Sequence, residues 1–295
     1  MFTPAELDAC HKLVALALAE DLGTTGDCTS NAVIPAEMRG SAAFVARSHG
    51  VLAGLPTVQL VCAAVDQELS IEGHLADGSP LMKGSTIATV SGPLRSLLAA
   101  ERTALNFLQR LSGIASLTKS YVDLVPGWKG QLLDTRKTTP GWRLLEKYAV
   151  RMGGGHNHRI GLYDAILIKD NHIAGVLGTH TTATPVRKAV ELARAFPGNN
   201  GLSVEVEVDT LEQLKEVLPA KPEIVVLDNM GPEMLRAAVA VRNELAPGTL
   251  LEASGGITRL TIAAIAATGI DRISIGALTH SAPALDIGLD FMPGE

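Results

Sequence analysis

The sequence predicts an α/β protein built on parallel strands, preceded by a segment of mixed helix and strand. In the second part of the chain, short apolar runs end in polar or glycine residues, and the last four recur roughly every 20–25 residues. Helical stretches separate these later runs. The strand-like runs are 132–134, 165–169, 204–207, 224–228, 250–254 and 273–276, and the helical stretches are 185–196, 211–218 and 232–245.

Strands that alternate with helices pair in parallel through right-handed crossovers. Near-continuous apolar runs indicate strands that are buried on both faces. An α/β barrel and a doubly wound sheet both satisfy this pattern. We favour the barrel, because a chemically functional group follows nearly every strand and barrel sites gather side chains from many strand ends.

The first part of the chain predicts a separate α+β domain. Thr3-Pro4-Ala5-Glu6 is typical of a helix start, residues 55–65 are helical in pattern, and residues 41–47, 69–75 and 86–90 are strand-like. A long helical stretch opens at Pro93, and we place a domain boundary near its end, around Gly113. The expected domains are 1–112, the barrel at 113–279, and a tail at 280–295 that packs back on the first domain.

Composition excludes several classes of protein. The 295 residues have a net charge of −6, and only 3% are aromatic, which argues against a nucleic-acid binder. No apolar run approaches the roughly 20 residues of a membrane-spanning helix. The first residues carry acids where a signal peptide needs a basic flank, and three scattered cysteines suit a reducing compartment. We expect a cytoplasmic protein that binds neither nucleic acid nor membrane.

One stretch concentrates positive charge. From Arg136 to Lys169 there are seven Lys or Arg residues and only two acids, so this stretch carries +5 and the remainder of the chain −11. A basic pocket in an acidic protein indicates a small polyanionic ligand. A solvated helix face explains Arg143 and Lys147, which lie four apart. It does not explain Arg136-Lys137 and Lys169, which directly follow strand-like runs.

Within that stretch, Gly153-Gly154-Gly155 precedes His156-Asn157-His158-Arg159 and cannot form regular helix. Three roles remain open for His156 and His158. They are zinc ligands of a barrel hydrolase, a pocket histidine that binds a carboxylate, or a structural loop histidine. We favour the carboxylate-binding role, because the glycines replace the strand a zinc motif should follow and the surrounding cations repel a metal.

Later strand ends carry glycines and carboxylates. Ser254-Gly255-Gly256 and Gly276-Ala277 follow neighbouring strands and free backbone N–H groups for a phosphate. Carboxylates at the same mouth suggest Mg²⁺ that bridges to phosphate or ribose oxygens. Glu205 and Glu207 share one side of a strand. We favour Glu207 for ligand contact and Glu205 for a buried structural pairing; a glycosidase pair fits poorly beside so many cations.

Taken together, these residues resemble the quinolinate phosphoribosyltransferases, also called carboxylating nicotinate-nucleotide pyrophosphorylases. The resemblance runs nearly end to end, and Asp209 replaces a common Glu. The motifs that carry it are Glu20–Gly23, Gly50–Gly54, Glu101–Asn106, Asp134–Pro140, Gly153–Arg159, Lys169–His172, Glu205–Val208, Leu227–Asn229, Ser254–Gly256 and Ile275–His280.

The resemblance implies an N-terminal α+β sandwich domain followed by an incomplete TIM-like α/β barrel, in a homodimer. It implies transfer of phosphoribosyl from phosphoribosyl pyrophosphate to quinolinate. The products are nicotinate mononucleotide, CO₂ and pyrophosphate, a step of NAD biosynthesis. Mg²⁺ accompanies the pyrophosphate, and no organic cofactor is needed.

The resemblance also assigns roles to residues. The quinolinate-binding set is Thr135, Arg136, His158 and Arg159, with Arg102 from the neighbouring subunit. The catalytic set is Lys137, Lys169, Glu207 and Asp228, and the last two also hold Mg²⁺, indirectly. The 5′-phosphate set is Ser254, Gly255, Gly256, Ile275, Gly276 and Ala277.

Rival functions remain open at this point. One is a relative with another aromatic-acid acceptor, of the kind associated with molybdate transport. Another is the metal-dependent barrel hydrolase using His156 and His158, and a third is a ligand-sensing module without activity.

Overall fold

The structure is a computed structural model, and it describes residues 2–179 and 182–292. The chain divides into two compact units. The first unit contains the described parts of 1–119, 137–155 and 277–295; the second contains those of 120–136 and 156–276. Residues 1 and 293–295, which belong to the predicted first domain and tail, lie outside the described residues. Because the units interleave along the chain, the boundaries at 112/113 and 279/280 stay a prediction.

The predicted helices and strands are present, with small shifts at their ends. The helices are α1 (Pro4–Leu22), α2 (Cys28–Val33), α3 (Leu55–Val65), α4 (Leu94–Val122), α5 (Arg143–Met152), α6 (Asp170–Thr179), α7 (Pro185–Ala195), α8 (Leu211–Val217), α9 (Pro232–Leu245), α10 (Ile262–Ala266) and α11 (Ala277–His280). The strands are β1 (Arg39–Ala46), β2 (Gly50–Val51), β3 (Ser70–Gly73), β4 (Pro80–Leu81), β5 (Thr86–Pro93), β6 (Gln131–Leu133), β7 (Ile166–Ile168), β8 (Val204–Val208), β9 (Ile224–Asp228), β10 (Leu250–Ser254), β11 (Arg272–Ser274) and β12 (Ile287–Met292).

The first unit contains a four-stranded antiparallel sheet in the order β12-β1-β5-β3. Its edge strand β12 comes from the C-terminal segment and pairs along β1. In the same unit α1 begins with a capping box, in which Thr3 and Glu6 each accept a hydrogen bond from the other's backbone N–H. The helix start predicted from Thr3-Pro4-Ala5-Glu6 is therefore confirmed.

Gly113 lies inside α4, not near its end, because the helix continues to Val122. A Cβ on Gly113 would lie 2.0 Å from the backbone oxygen of Pro283. The glycine therefore permits a close approach of two backbones within the first unit. The expectation that the helix ends near Gly113 is wrong: this glycine serves backbone packing and does not end the helix.

The second unit contains a six-stranded sheet in the order β6-β11-β10-β9-β8-β7, and every pair in it is parallel. Consecutive strands β7 to β11 lie side by side, and β6 joins the far edge beside β11. A doubly wound sheet reverses its strand order at a switch point, whereas this order winds in one direction. Since β6 and β7 do not pair in the described sheet, it is an incomplete α/β barrel, which confirms the predicted fold class.

Parallel pairing also settles which side chains share a face of the sheet. Glu207 and Glu252 both pair with Val226, and Glu252 pairs with Arg272. Residues in register on parallel strands point to the same face, and every second residue does so. We call this the inner face. Its members include Leu167, Glu205, Glu207, Val226, Asp228, Glu252, Ser254, Arg272 and Ser274.

The helix α6 begins directly after Lys169 and is not among the predicted elements. Gly175 and Gly178 lie within it, and glycine in a helix interior weakens the sequence pattern by which a helix is recognised.

Among the described residues, no helix combines the length and the apolar character needed to span a bilayer. The three cysteines are unpaired; Cys10 and Cys62 are buried and Cys28 is exposed. Burial raises the pKa of the Cys10 and Cys62 thiols to about 12, so both remain protonated near neutral pH.

Candidate active site

The site lies at the carboxyl ends of the parallel strands in the second unit. Lys169 follows β7, Glu207 lies near the end of β8, and Asp228 and Ser254 end β9 and β10. Ser254 and Asp228 are register partners. Glu207, Asp228 and Ser254 belong to the inner face, and Lys169 directly follows the neighbouring strand, so the sheet brings all four to one edge, as barrel strands do with catalytic groups.

Two of the predicted catalytic residues form an ion pair. Lys169 Nζ lies 2.5 Å from Glu207 Oε2, and the Lys169 side chain is 45% exposed. A Lys that is paired yet accessible can exchange its carboxylate partner for a phosphate oxygen, because both are anionic acceptors.

Asp134 organises the loop that carries His158 and Arg159. Its buried carboxylate accepts hydrogen bonds from the His158 backbone N–H at 2.9 Å and from Asn157 Nδ2 at 2.6 Å. His156 pairs with Leu133 as an isolated parallel bridge at the edge of β6. The loop therefore lies beside β6 at the edge where the sheet is open.

The His158 ring is buried and contacts two carboxylates. Its Nε2 lies 3.3 Å from Glu205 Oε2 and 3.4 Å from Glu252 Oε1. Its Nδ1 accepts a hydrogen bond from the Arg159 backbone N–H at 2.8 Å. A nitrogen that accepts carries no proton, so the ring is the Nε2–H tautomer in this arrangement.

No group of three His, Cys, Asp or Glu side chains within the described ranges is placed to hold a metal ion. His156 is exposed, whereas His158 faces carboxylates that occupy its Nε2. The geometry gives no support to the zinc-hydrolase alternative, which needs at least three protein ligands.

Arg159 is a cation held beside other charges. Its Nη1 donates to the Ala165 backbone oxygen at 3.0 Å. Burial lowers the pKa of Arg159, and the neighbouring positive charge of Arg136 lowers it further, while Glu205 and Asp164 oppose the shift. Two neighbouring guanidiniums repel each other, and an anion bound between them relieves that repulsion.

Two buried glutamates of the inner face, Glu205 and Glu252, have pKa values that are shifted in opposite directions. Burial raises the pKa of Glu205, and the charge of Glu252 adds to the increase. Burial also acts to raise the pKa of Glu252, but the hydrogen bond from His158, the charge of Arg272 and a hydrogen bond from Ser274 outweigh it, so that pKa lies below its ordinary value. The buried position of Glu205 agrees with its predicted structural pairing.

The Ser254-Gly255-Gly256 turn is partly exposed, and Gly255 packs closely against Asn229. Gly255 and Gly256 have φ of +86° and +61°, a backbone conformation that favours glycine. A Cβ on Gly255 would lie 2.3 Å from Asn229 Oδ1, and the Asn229 backbone N–H donates to the Ser254 backbone oxygen at 2.9 Å. The turn has the glycine geometry of an anion-binding loop.

At the neighbouring strand end, the Ile275 backbone N–H donates to the Leu133 backbone oxygen at 2.9 Å. It continues the sheet pairing of β11 with β6. The Ile275 N–H is therefore used within the sheet, and the phosphate-binding roles of Ile275, Gly276 and Ala277 stay predictions.

Comparison with known proteins agrees with this architecture. Sequence models of the quinolinate phosphoribosyl transferase N-terminal and C-terminal domains match residues 27–112 and 114–290. The chain belongs to the quinolinate phosphoribosyltransferase family. The described fold and the family match agree over nearly the whole chain.

Individual members of the family are similar over their full lengths. A nicotinate-nucleotide pyrophosphorylase [carboxylating] from Mycobacterium leprae is 43% identical, covering 98% of this chain and 100% of that protein. A probable nicotinate-nucleotide pyrophosphorylase [carboxylating] from Bacillus subtilis is 42% identical, covering 95% and 92%. The solved structure of the nicotinate-nucleotide pyrophosphorylase from Francisella tularensis superposes with a TM-score of 0.87 at 41% identity, covering 97% of this chain and 96% of that one.

Other residues assigned by family resemblance lie outside the barrel unit or at its chain boundaries. Arg102 is exposed on α4. Lys137 is exposed, and its backbone oxygen accepts a hydrogen bond from Thr279 Oγ1 at 2.8 Å. Thr135 is partly buried between Asp134 and Arg136, and Ala277 begins α11. Their roles in this family member stay predictions.

Three charged residues that contact the His158 loop or its partners were not assigned a role from sequence: Asp134, Glu252 and Arg272. A sequence signal was present for Glu252, because a charged residue in the middle of an apolar strand needs a buried partner. The sequence pattern gave no means of naming that partner, since Arg272 belongs to the next strand.

Proposed function

We propose that this chain is a quinolinate phosphoribosyltransferase that joins quinolinate to phosphoribosyl pyrophosphate with loss of CO₂ and pyrophosphate. The observation that carries the proposal is the placement of the Arg136–Arg159 cation pair in the same unit as Lys169, Glu207 and the Ser254 turn. A site for a dicarboxylate and a phosphorylated sugar needs both kinds of group.

Quinolinate binding is assigned to the cations. Quinolinate carries two adjacent carboxylates, and guanidinium groups recognise carboxylates through paired hydrogen bonds. Arg136 and Arg159 supply these groups, with Thr135 and His158 beside them in the chain. The negative ligand also offsets the repulsion between the two guanidiniums.

Phosphoribosyl pyrophosphate is assigned to the strand ends of β7 to β11. The open turn at Ser254–Gly256, with Gly276 and Ala277, receives the 5′-phosphate through backbone N–H groups. Glu207 and Asp228 accept hydrogen bonds from the ribose hydroxyls. Lys169 is placed to exchange Glu207 for the pyrophosphate, and Lys137, next in the chain after Arg136, adds a second cation.

The donor set fits Mg²⁺ carried by the pyrophosphate. Two carboxylates, Glu207 and Asp228, end neighbouring strands, and no third acidic or histidine ligand joins them among the described residues. Mg²⁺ keeps several waters and binds through one or two carboxylates plus substrate phosphates. When bound there, it offsets negative charge on the pyrophosphate.

In the reaction, the pyridine nitrogen forms a bond to the ribose anomeric carbon as the bond from that carbon to the pyrophosphate oxygen breaks. Lys169 and Lys137 stabilise the negative charge that builds on the leaving pyrophosphate, and Glu207 or Asp228 stabilises positive charge on the ribose. The positively charged ring then loses its 2-carboxylate as CO₂, and the ring carbon takes up a proton. The protein acts mainly by positioning and charge stabilisation.

The proposal extends to a homodimer in which Arg102 reaches the site of the second copy. The exposure of Arg102 on α4 suits that role. We also place the enzyme in the cytoplasm, because it has three unpaired cysteines, as expected in a reducing compartment.

The test is incubation with quinolinate, phosphoribosyl pyrophosphate and Mg²⁺. We expect CO₂ and nicotinate mononucleotide to form together, and no product with nicotinate as acceptor. Turnover of another aromatic acid with no turnover of quinolinate would instead identify the relative with a different acceptor. Ligand binding without pyrophosphate release would identify a sensing module.

A further inference from the structure

Four ionisable side chains form a buried cluster on the inner face of the barrel sheet. His158 lies between Glu205 and Glu252, and Arg272 Nε lies 2.8 Å from Glu252 Oε2. The Glu252 side chain is 1% exposed and that of Arg272 is 13% exposed. Neither Glu252 nor Arg272 has a role in the proposed reaction.

Stability alone is a weak explanation for such a cluster. Taking charges out of water is costly, and replacing a buried ion pair by apolar residues of similar volume is often neutral or stabilising. The geometry gives a more specific explanation, because His158 in this cluster contacts Arg159, which the proposed function uses to bind quinolinate.

The His158 ring connects Glu252 to Arg159. At one side of the ring, Nε2–H faces the carboxylates of Glu252 and Glu205. At the other, Nδ1 accepts the backbone N–H of Arg159. A ring that is held at Nε2 has a fixed tautomer, and that tautomer leaves Nδ1 able to accept.

Glu252 is better placed than Glu205 to hold the ring. Glu252 and Arg272 are register partners on neighbouring strands, and Arg272 Nε lies within ion-pair distance of the carboxylate. Glu205 faces the same Nε2 at 3.3 Å, but among the described residues no Lys or Arg forms an ion pair with it. A carboxylate anchored by an arginine keeps its direction when the ring moves.

We propose that Glu252, anchored by Arg272, is a positioning residue: it holds Nε2 of His158 so that Nδ1 fixes the Arg159 backbone and directs its guanidinium toward a substrate carboxylate. The dicarboxylate identity of the substrate rests on the proposed function. The Glu252–His158–Arg159 connection itself does not.

Two double variants separate the hydrogen bond from the charge. E252L/R272M replaces the ion pair by apolar side chains of similar volume and removes the acceptor. E252Q/R272M also removes both charges but keeps an amide oxygen that accepts from His158 Nε2–H. The two proteins differ only at residue 252, and both lack the Glu252–Arg272 ion pair.

A third variant controls for the loss of a buried ion pair elsewhere in the same sheet. Asp271 accepts from Arg242 Nη1 at 2.7 Å and from the Leu251 backbone N–H at 2.8 Å, at the amino ends of the strands. D271N therefore disturbs an ion pair with Arg242 of α9 that is next to Arg272 in the chain but, by the alternation of side chains, on the opposite face of the sheet from His158. It is expected to lower the melting temperature and to leave quinolinate affinity unchanged.

The first measurement is quinolinate affinity by calorimetry, with KM for both substrates and melting temperature recorded for each protein. We expect E252L/R272M to bind quinolinate about 10–100-fold more weakly, by analogy with the loss seen when the partner that orients a metal-binding histidine is removed. KM for phosphoribosyl pyrophosphate should change little, and E252Q/R272M should bind close to the wild-type affinity. Equal quinolinate affinity in the two double variants, or equal weakening of both substrates, would overturn the proposal.

The second measurement does not depend on activity. Imidazole ¹⁵N NMR, with the His158 signal assigned from a H158Q spectrum, reports the tautomer. We expect an unprotonated Nδ1 in wild type and in E252Q/R272M, and a mixture of tautomers in E252L/R272M. If the wild-type protein binds no quinolinate, the proposed function fails, but the tautomer measurement still tests the positioning role of Glu252. The same His158 tautomer in all three proteins would refute that positioning role.

Discussion

Lys169 Nζ lies 2.5 Å from Glu207 Oε2, so the ends of two neighbouring strands are joined by an ion pair at the mouth of the barrel. In the absence of substrate, the lysine charge is satisfied by a carboxylate. In the proposed reaction, the pyrophosphate group of the substrate replaces Glu207 as the partner of Lys169, which makes Glu207 available to the ribose.

The first prediction concerns Lys169. Lys169→Ala should lower kcat about 10²–10³-fold, the range for removing one charge-stabilising donor, with a smaller effect on quinolinate affinity. Steady-state kinetics with both substrates measures this. Lys215→Ala, on the exposed surface of α8, is the control and should leave kcat unchanged. An unaltered kcat in Lys169→Ala would remove that residue from the reaction centre.

The second prediction concerns the carboxylate clamp. Arg136→Ala should cost about 2–5 kcal/mol of quinolinate binding, the range for truncating one partner of a buried charge pair. Calorimetric titration measures the loss. The matched control is Arg194→Ala, because Arg194 pairs with Glu223 in an exposed position away from the strand ends that form the site. Near-unchanged affinity in Arg136→Ala would refute the clamp.

The third prediction is a contrast in pH dependence between the two buried glutamates. The pKa of Glu205 is raised, so its ionised form disfavours the folded state at high pH, and this penalty disappears as pH falls below the ordinary value of 4.5. Glu205→Gln should therefore raise the free energy of unfolding above the folded-state pKa, and lose this advantage in acid.

For Glu252, the pH dependence of the free energy of unfolding should have the opposite sign. Its pKa is lowered, so its ionised form stabilises the folded state above the ordinary value of 4.5, and that stability is lost as pH falls through the folded-state pKa. Glu252→Gln should be destabilising near neutral pH, with a cost that shrinks in acid. Urea unfolding of both variants across a pH series measures the two trends, and parallel trends would contradict the assignment of opposite shifts.

The fourth prediction tests sharing between subunits. Inactive Arg102→Ala and Lys169→Ala proteins should regain some activity when they are mixed, if Arg102 acts in the site of the neighbouring copy. In a mixed dimer, one site then has both wild-type residues. No recovery in verified heterodimers would count against the shared site.

Much of the fold follows from local patterns. The capping box at Thr3 and Glu6, the helix at Leu55–Val65 and the strands β9 and β10 are all recognisable from residues close together in sequence. Gly113 shows the limit of that approach. Its sequence neighbours suggest a helix end, whereas the reason for the glycine is Pro283, far along the chain.

The residues of the site also divide into those that the sequence predicted and those that only the structure revealed. Arg136, Lys169, Glu207 and the Ser254 turn are recognisable because each follows or ends a strand and carries a chemically distinctive group. The role of Glu252 was not recognisable, because its partners are His158 on a loop and Arg272 on the next strand.

By itself, the sequence determined the alternation of strands and helices, the charge of the pocket stretch and the family to which the chain belongs. These depend on periodicity, composition and motif, which are properties of neighbouring residues. The tertiary structure alone decided that Glu252 meets Arg272, that His158 lies between two carboxylates, and that Lys169 pairs with Glu207. Such contacts depend on strand register and loop placement, which result from the packing of the whole barrel unit.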